Sequence, residues 1–259
     1  GNETGGVCLR TADPPVGLSA IPQTSQESWY NVNYSSFVWG PASGWTTGYY
    51  YILDKSPSTV PTAGVNMGGL FAGTTKYFDS SVINSDGVWY FHIVSKDIAG
   101  NVGTVASHYS IRVKMSSPDP PASVNSASHP NQSQWYSTIV ASFTWSEPYD
   151  VAGISGYYMC VDTSQGTIPQ AVASNYNTQA STAYYVSEGV RYFHIISRDN
   201  AGNAGSAATH YRINMDTSPP GSVTSISATS KQDGAVYINW GDAGDATSGL
   251  SYYRIYLSL

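Results

Sequence analysis

Tyr90-Phe91-His92-Ile93-Val94-Ser95-Lys96-Asp97-Ile98-Ala99-Gly100-Asn101 is the stretch from which the architecture is read. It returns 102 residues later as Tyr192-Phe193-His194-Ile195-Ile196-Ser197-Arg198-Asp199-Asn200-Ala201-Gly202-Asn203. Nine of twelve positions are identical, and the exchanges are Val/Ile, Lys/Arg and Ile/Asn. A chain that repeats at a fixed period is read as an array first. Each copy is an apolar run ending in Asp-x-Ala-Gly-Asn, the pattern of a strand running into a tight turn.

Outward from this stretch the other landmarks recur in order. Asp13-Pro14-Pro15 opens the first unit, Asp119-Pro120-Pro121 the second, and Asp216-Thr217-Ser218-Pro219-Pro220 a third. Proline pairs favour extended backbone and cannot donate to a ladder, so these read as stiff linkers or edge segments. Trp29-Tyr30 matches Trp135-Tyr136, and Phe37-Val38-Trp39 matches Phe143-Thr144-Trp145. Gly48-Tyr49-Tyr50-Tyr51-Ile52-Leu53-Asp54 matches Gly156-Tyr157-Tyr158-Met159-Cys160-Val161-Asp162. Each unit closes on His108-Tyr109-Ser110-Ile111 or His210-Tyr211-Arg212-Ile213.

About seven short strands per unit, separated by Gly, Pro, Ser and Asn clusters and without helical periodicity, predict an all-β chain of tandem antiparallel β-sandwiches. The expected division is a tail over 1–12, sandwiches over 13–116 and 117–216, and the first strands of a third over 217–259. Three strands leave an edge unpaired. The chain is therefore expected to continue past Leu259, or to borrow strands from a neighbour, with the Cys8-containing tail as a candidate donor.

Composition narrows the function. Only 11% of the 259 residues are charged, the formal net charge is −6, and no Lys/Arg cluster occurs. That excludes nucleic acid as a natural partner, because phosphate neutralisation supplies most of such affinity. No apolar run approaches the ~20 residues that span a bilayer. The opening Gly1-Asn2-Glu3-Thr4 reads as a processed N-terminus or as the start of a fragment.

These landmarks resemble fibronectin type III and bacterial immunoglobulin-like repeats of prokaryotic surface proteins. The resemblance covers 13–259 and rests on the proline-led first strand, a strand-B tryptophan (Trp39, Trp145, Trp240), a strand-C tyrosine (Tyr50, Tyr158, Tyr253) and the Asp-x-Ala-Gly-Asn turn. It implies a β-sandwich and an extracellular or cell-surface location. Such motifs specify fold better than activity.

Candidate chemistry is sparse. No Gly-x-Ser-x-Gly, His-Glu-x-x-His or phosphate-loop pattern is present, and enzymes rarely carry one site twice in tandem, so no catalytic role is expected. His92 with His108, and His194 with His210, fall on strands expected to be adjacent, but two imidazoles are fewer ligands than zinc takes. Asp97 with Asn101, and Asp199 with Asn203, offer oxygen ligands to calcium, against the plainer reading that they cap their own turns. No other cofactor is expected. Asn2, Asn33 and Asn131 lie in N-x-Ser/Thr acceptors for glycosylation. Cys160 is read as a buried apolar residue or as a disulfide partner of Cys8.

Strand alternation places Phe91, Ile93 and Ser95 inward and Tyr90, His92 and Val94 outward. The outward face, with its copy around Tyr192 and His194, is poor in charge, which suggests a contact face for another domain or subunit. The expectation is a structural extracellular array in a surface layer, stalk or filament, joined by self-association or by neighbouring domains. The alternative is a non-catalytic spacer or carbohydrate-binding segment of a larger secreted hydrolase or adhesin.

Overall fold

The computed structural model describes residues 12–42, 46–63, 73–79, 81–256 and 258. Among them the regular structure is strand, apart from one 3-10 turn at Ala173–Asn175. The first module contains β1 (Val16–Ile21), β2 (Trp29–Tyr30), β3 (Ser35–Gly40), β4 (Thr46–Asp54), β5 (Thr75–Phe78), β6 (Gly87–Asp97) and β7 (Ser107–Val113). They form two sheets, ordered β1-β3-β5 and β2-β7-β6-β4, antiparallel except for the short β2–β7 pair.

Alternation in β3 buries Ser35, Phe37 and Trp39 and leaves Ser36, Val38 and Gly40 half-exposed. Phe37 stacks on Phe91 of the facing sheet at 4.4 Å between centroids, and Trp39 meets Tyr49 edge-on at 5.5 Å. The core thus forms between inward residues of two sheets, as a period of two requires. Tyr109, buried on β7, turns its hydroxyl to donate to the Gln23 carbonyl at 3.1 Å.

The second module repeats this with β8 (Ala122–Asn125), β9 (Trp135–Tyr136), β10 (Val140–Ser146), β11 (Ile154–Asp162), β12 (Tyr176–Asn177), β13 (Ser181–Tyr185), β14 (Gly189–Asp199) and β15 (Thr209–Met215). Its sheets run β13-β10-β8 and β12-β11-β14-β15-β9. Phe143 stacks on Phe193 at 4.1 Å, Trp145 meets Tyr157 at 5.1 Å, and Tyr211 donates to the His129 carbonyl at 2.6 Å.

The remaining strands among the described residues are β16 (Thr224–Ser230) and β17 (Val236–Gly241), which pair with each other. The expected third strand over 252–257 does not form among the described residues, where 252–256 lie outside any sheet. In the two modules the corresponding strands pair with β6 and β14. Among the described residues no counterpart of those strands lies beside 252–256.

A register correction follows from ring contacts. Trp240 meets Tyr253 at 5.4 Å, and the Tyr253 hydroxyl accepts from the Ala243 N–H, just as Tyr49 accepts from Ala42. Tyr253 is thus the counterpart of Tyr49 and Tyr157, not of Tyr50 and Tyr158.

The chain divides into two compact units. The first holds the residues to Pro118 together with Tyr149–Ser155 and Arg198–Ala204; the second holds Asp119–Pro148, Gly156–Ser197 and the residues from Gly205.

Candidate functional site

The polar groups singled out by the repeat sit on the long strands β6 and β14 and on the turns that follow them. In the first turn Asp97 Oδ1 accepts from the Asn101 backbone N–H and Oδ2 from its Nδ2, both at 2.8 Å. Gly100 takes φ +93°, a left-handed conformation that favours glycine. The Asn101 side chain and backbone N–H hold the Asp97 carboxyl below its ordinary value. The second turn repeats this with Asp199 and Asn203 at 2.8 Å and Gly202 at φ +98°. In both turns the carboxylate oxygens already accept from the turn itself. Calcium would compete with those donors.

The two turns differ in one neighbour. Lys114, one residue past β7 and 4% exposed, reaches Asp150 at 3.1 Å, Asp199 at 3.8 Å and Asp86 at 3.8 Å. Its ammonium also donates to the Ser116 carbonyl and hydroxyl, and its own carbonyl accepts from Asn203 Nδ2 at 2.9 Å. This is a buried, hydrogen-bonded ion cluster inside the first unit. Sequence reasoning missed it. The available signal was that Lys114 stands where the next repeat has Asp216.

Within the second unit, Asp216 accepts from the Ser218 and Ser248 N–H groups, and Glu188 accepts from the Ser218 and Thr247 hydroxyls. Among the described residues no group of three or more His, Cys, Asp or Glu is arranged to hold a metal ion.

Mid-strand, His92 is fully buried and lies opposite exposed His108. Its Nε2 is 2.9 Å from the Ser56 carbonyl and 3.2 Å from Asp54 Oδ1, and its Nδ1 is 2.5 Å from His108 Nδ1. The second module reproduces the chain of contacts. His194 Nε2 is 3.0 Å from Asp162 Oδ1, and Nδ1 is 2.6 Å from His210 Nδ1. Burial, then the neighbouring His92, push the His108 imidazole below its ordinary value. Burial and His194 do the same to His210, partly offset by Asp162.

The expected contact face is largely covered by its own module. His92 and His194 are fully buried, and Val94 packs with Tyr50, Ala106 and Val102. The reason is that β6 is an inner strand and 102–106 folds over its outer side. Tyr90 and Tyr192, half-buried, are what remains for a partner.

Asn131 is exposed in a turn where its Oδ1 accepts from the Ser133 N–H at 2.9 Å. Asn33 is half-buried, and the hydroxyl of Ser35 in its acceptor is fully buried. Asn2 and Cys8 lie outside the described residues. Cys160 is half-buried and has no disulfide partner among the described residues, and its thiol is pushed up by burial and by Asp162.

An open groove of about 630 Å³ in the second unit is lined by Trp135, Tyr136, Asp216, Tyr252, Arg254 and Tyr256, among others. Tyr252 and Tyr256 are 70% and 79% exposed, with Arg254 between them in sequence.

The class that fold and site define is an all-β chain of tandem sandwiches with duplicated polar relays. No protein-family model matches the chain, and no curated protein matches it. Among solved structures it is similar to the spore cortex lytic enzyme SleM of Clostridium perfringens, at 16% identity and a TM-score of 0.29. That match covers 39% of this chain and 28% of the enzyme's. It is also similar to the FN1–FN3 domains of chicken CNTN1, at 12% identity and a TM-score of 0.34, over 79% of this chain and 68% of that one. The fibronectin(III)-like modules of Clostridium thermocellum CbhA match at 12% identity and a TM-score of 0.33, over 77% of this chain and 95% of theirs. No helix among the described residues is long and apolar enough to cross a membrane.

Proposed function

We propose that the protein is a non-catalytic structural array of the cell exterior, with its β-sandwich modules spaced and stiffened as part of a surface layer, stalk or filament. The observation that carries this reading is the buried Lys114 cluster. A free linker between modules would be exposed and polar. Here the residue that leaves the last strand of the first module is sealed among Asp86, Asp150 and Asp199. Breaking such a pair strands buried charge, so the chain leaving β7 is held in place. Self-association would build on the half-buried tyrosines Tyr90 and Tyr192. Negative-stain microscopy of native material tests this: regular fibres or lattices are expected, and dispersed particles that copurify with hydrolytic activity would refute it.

The aromatic groove favours a second reading, a carbohydrate-binding spacer of a larger secreted protein. Tyrosine and tryptophan rings stack on sugar faces, and Asp216 and Arg254 in the lining would bond hydroxyls. Affinity electrophoresis in polysaccharide gels checks it. Retardation that Tyr256→Ala abolishes would support this reading, and unchanged mobility would remove it.

A further inference from the structure

Four of the five histidines in the chain form two identical pairs. The hydrogen positions in each pair follow from the acceptors around it. His92 Nε2 faces the Ser56 carbonyl, which only accepts, and the Asp54 carboxylate. That nitrogen therefore carries a hydrogen, and in the neutral ring Nδ1 is bare. His108 Nδ1, 2.5 Å away, must supply the hydrogen that lies between the rings. The bare nitrogen of His108 is then Nε2, on an exposed side chain. His194 and His210 repeat the arrangement, with Asp162 as the acceptor at 3.0 Å.

We propose that each Asp–His–His relay is an acid-operated clamp. One proton held between two imidazoles joins β6 to β7 in the first module and β14 to β15 in the second, and acid weakens this link in two steps.

The proton count explains the release. A first added proton goes to His108 Nε2 and leaves the hydrogen bond between the rings in place. A second would have to go to His92 Nδ1, and two N–H groups cannot meet head-on at 2.5 Å. The rings must part, which exposes the buried face of β6. The groups facing the first pair are Asp54 from the end of β4, the Ser56 carbonyl and Tyr90, whose ring lies 6.2 Å from that of His92. Those facing the second are Asp162, itself held by the Ser164 N–H and Thr167, with Tyr192 at 6.3 Å and Cys160 near Asp162.

The first of these protons already weakens the folded chain, before the rings part. His108 and His210 both lie below the ordinary histidine value in the folded chain, so the opened chain binds the proton more tightly. Their contribution is complete above about pH 6.5 and is lost as the pH falls towards the folded values.

The test uses the full chain. Thermal midpoints are measured between about pH 7.5 and pH 5 for the wild type and for His108→Gln/His210→Gln, whose substituted side chains are exposed. The wild-type midpoint should fall by several degrees and the variant's should stay nearly flat. His129, the fifth histidine, is present in both and cancels. Parallel slopes would overturn the proposal. Nitrogen-15 imidazole spectra of the wild type give an independent reading that does not depend on the variant folding. An Nε2–H tautomer at His92 and His194 with Nδ1–H at His108 and His210 is expected. The reverse assignment would overturn the clamp.

Discussion

Phe193 shows how a single side chain holds a module. It is fully buried, stacks on Phe143 at 4.1 Å and lies 6.2 Å from Trp145 and 5.9 Å from Tyr184. Phe193→Ala removes all three ring contacts and leaves a cavity, and should cost about 3–5 kcal/mol, measured as a shift in denaturant midpoint with unchanged slope. Gly156 is sensitive for a different reason. A Cβ there would stand 2.7 Å from the Asn177 carbonyl and 2.5 Å from the Tyr176 hydroxyl. The Asn177 carbonyl is backbone and cannot swing away, so Gly156→Ala should destabilise the module by displacing β12. Loss of protection from amide exchange at Tyr176 and Asn177 would report it. The core was legible at this scale because Phe37, Trp39, Phe91 and their copies recur in both repeats at the two-residue period of an inward face. The strand-C tyrosine was misplaced by one position, since Gly-Tyr-Tyr reads alike in either register and only the tryptophan contact tells them apart.

Among the elements, the loop after β7 and the turn after β14 carry the most consequence. Lys114→Ala leaves Asp86, Asp150 and Asp199 without their shared cation, and should cost about 3–5 kcal/mol in thermal or denaturant unfolding. Acid acts on the same cluster through its carboxylates. Burial opposes ionisation of Asp86, but the Ser116 hydroxyl, the Met115 and Ser116 N–H groups and Lys114 outweigh it, so its value is lowered. Its stabilisation is complete above the ordinary aspartate value and is lost only as the pH falls through the lower folded one. The two Asp-Asn turns should leave the melting midpoint unchanged when chelator replaces calcium, because their carboxylates already accept from Asn101 and Asn203. A midpoint that rises with calcium would count against that. The turns were legible because Asp, Gly and Asn each have a local role in them. The lysine cluster was not, because its partners lie 28, 36 and 85 residues away in sequence and only the fold gathers them. The histidine relay was half legible: the pairing followed from strand order, but the Asp that closes Gly-Tyr-Tyr in both repeats was not recognised as its third member.

For the molecule as a whole, charges are few. The net charge of −6 near neutrality disappears at an isoelectric point of about 5.1. Mutual repulsion then vanishes as the pH falls towards that point. Light scattering should therefore show association that peaks near pH 5 and reverses on return to neutrality; a flat profile would contradict it. Lys114 has a further consequence when the chain is pulled. Tension leaving β7 at Val113 meets the lysine one residue later, and the ammonium passes part of the load sideways to Asp150 and to Asp199 at the end of β14. The residues that follow, Ser116 to Pro118, pay out no slack until that grip fails. Under load the ion cluster would act as a fuse, its breaking force set by how well three carboxylates hold one cation.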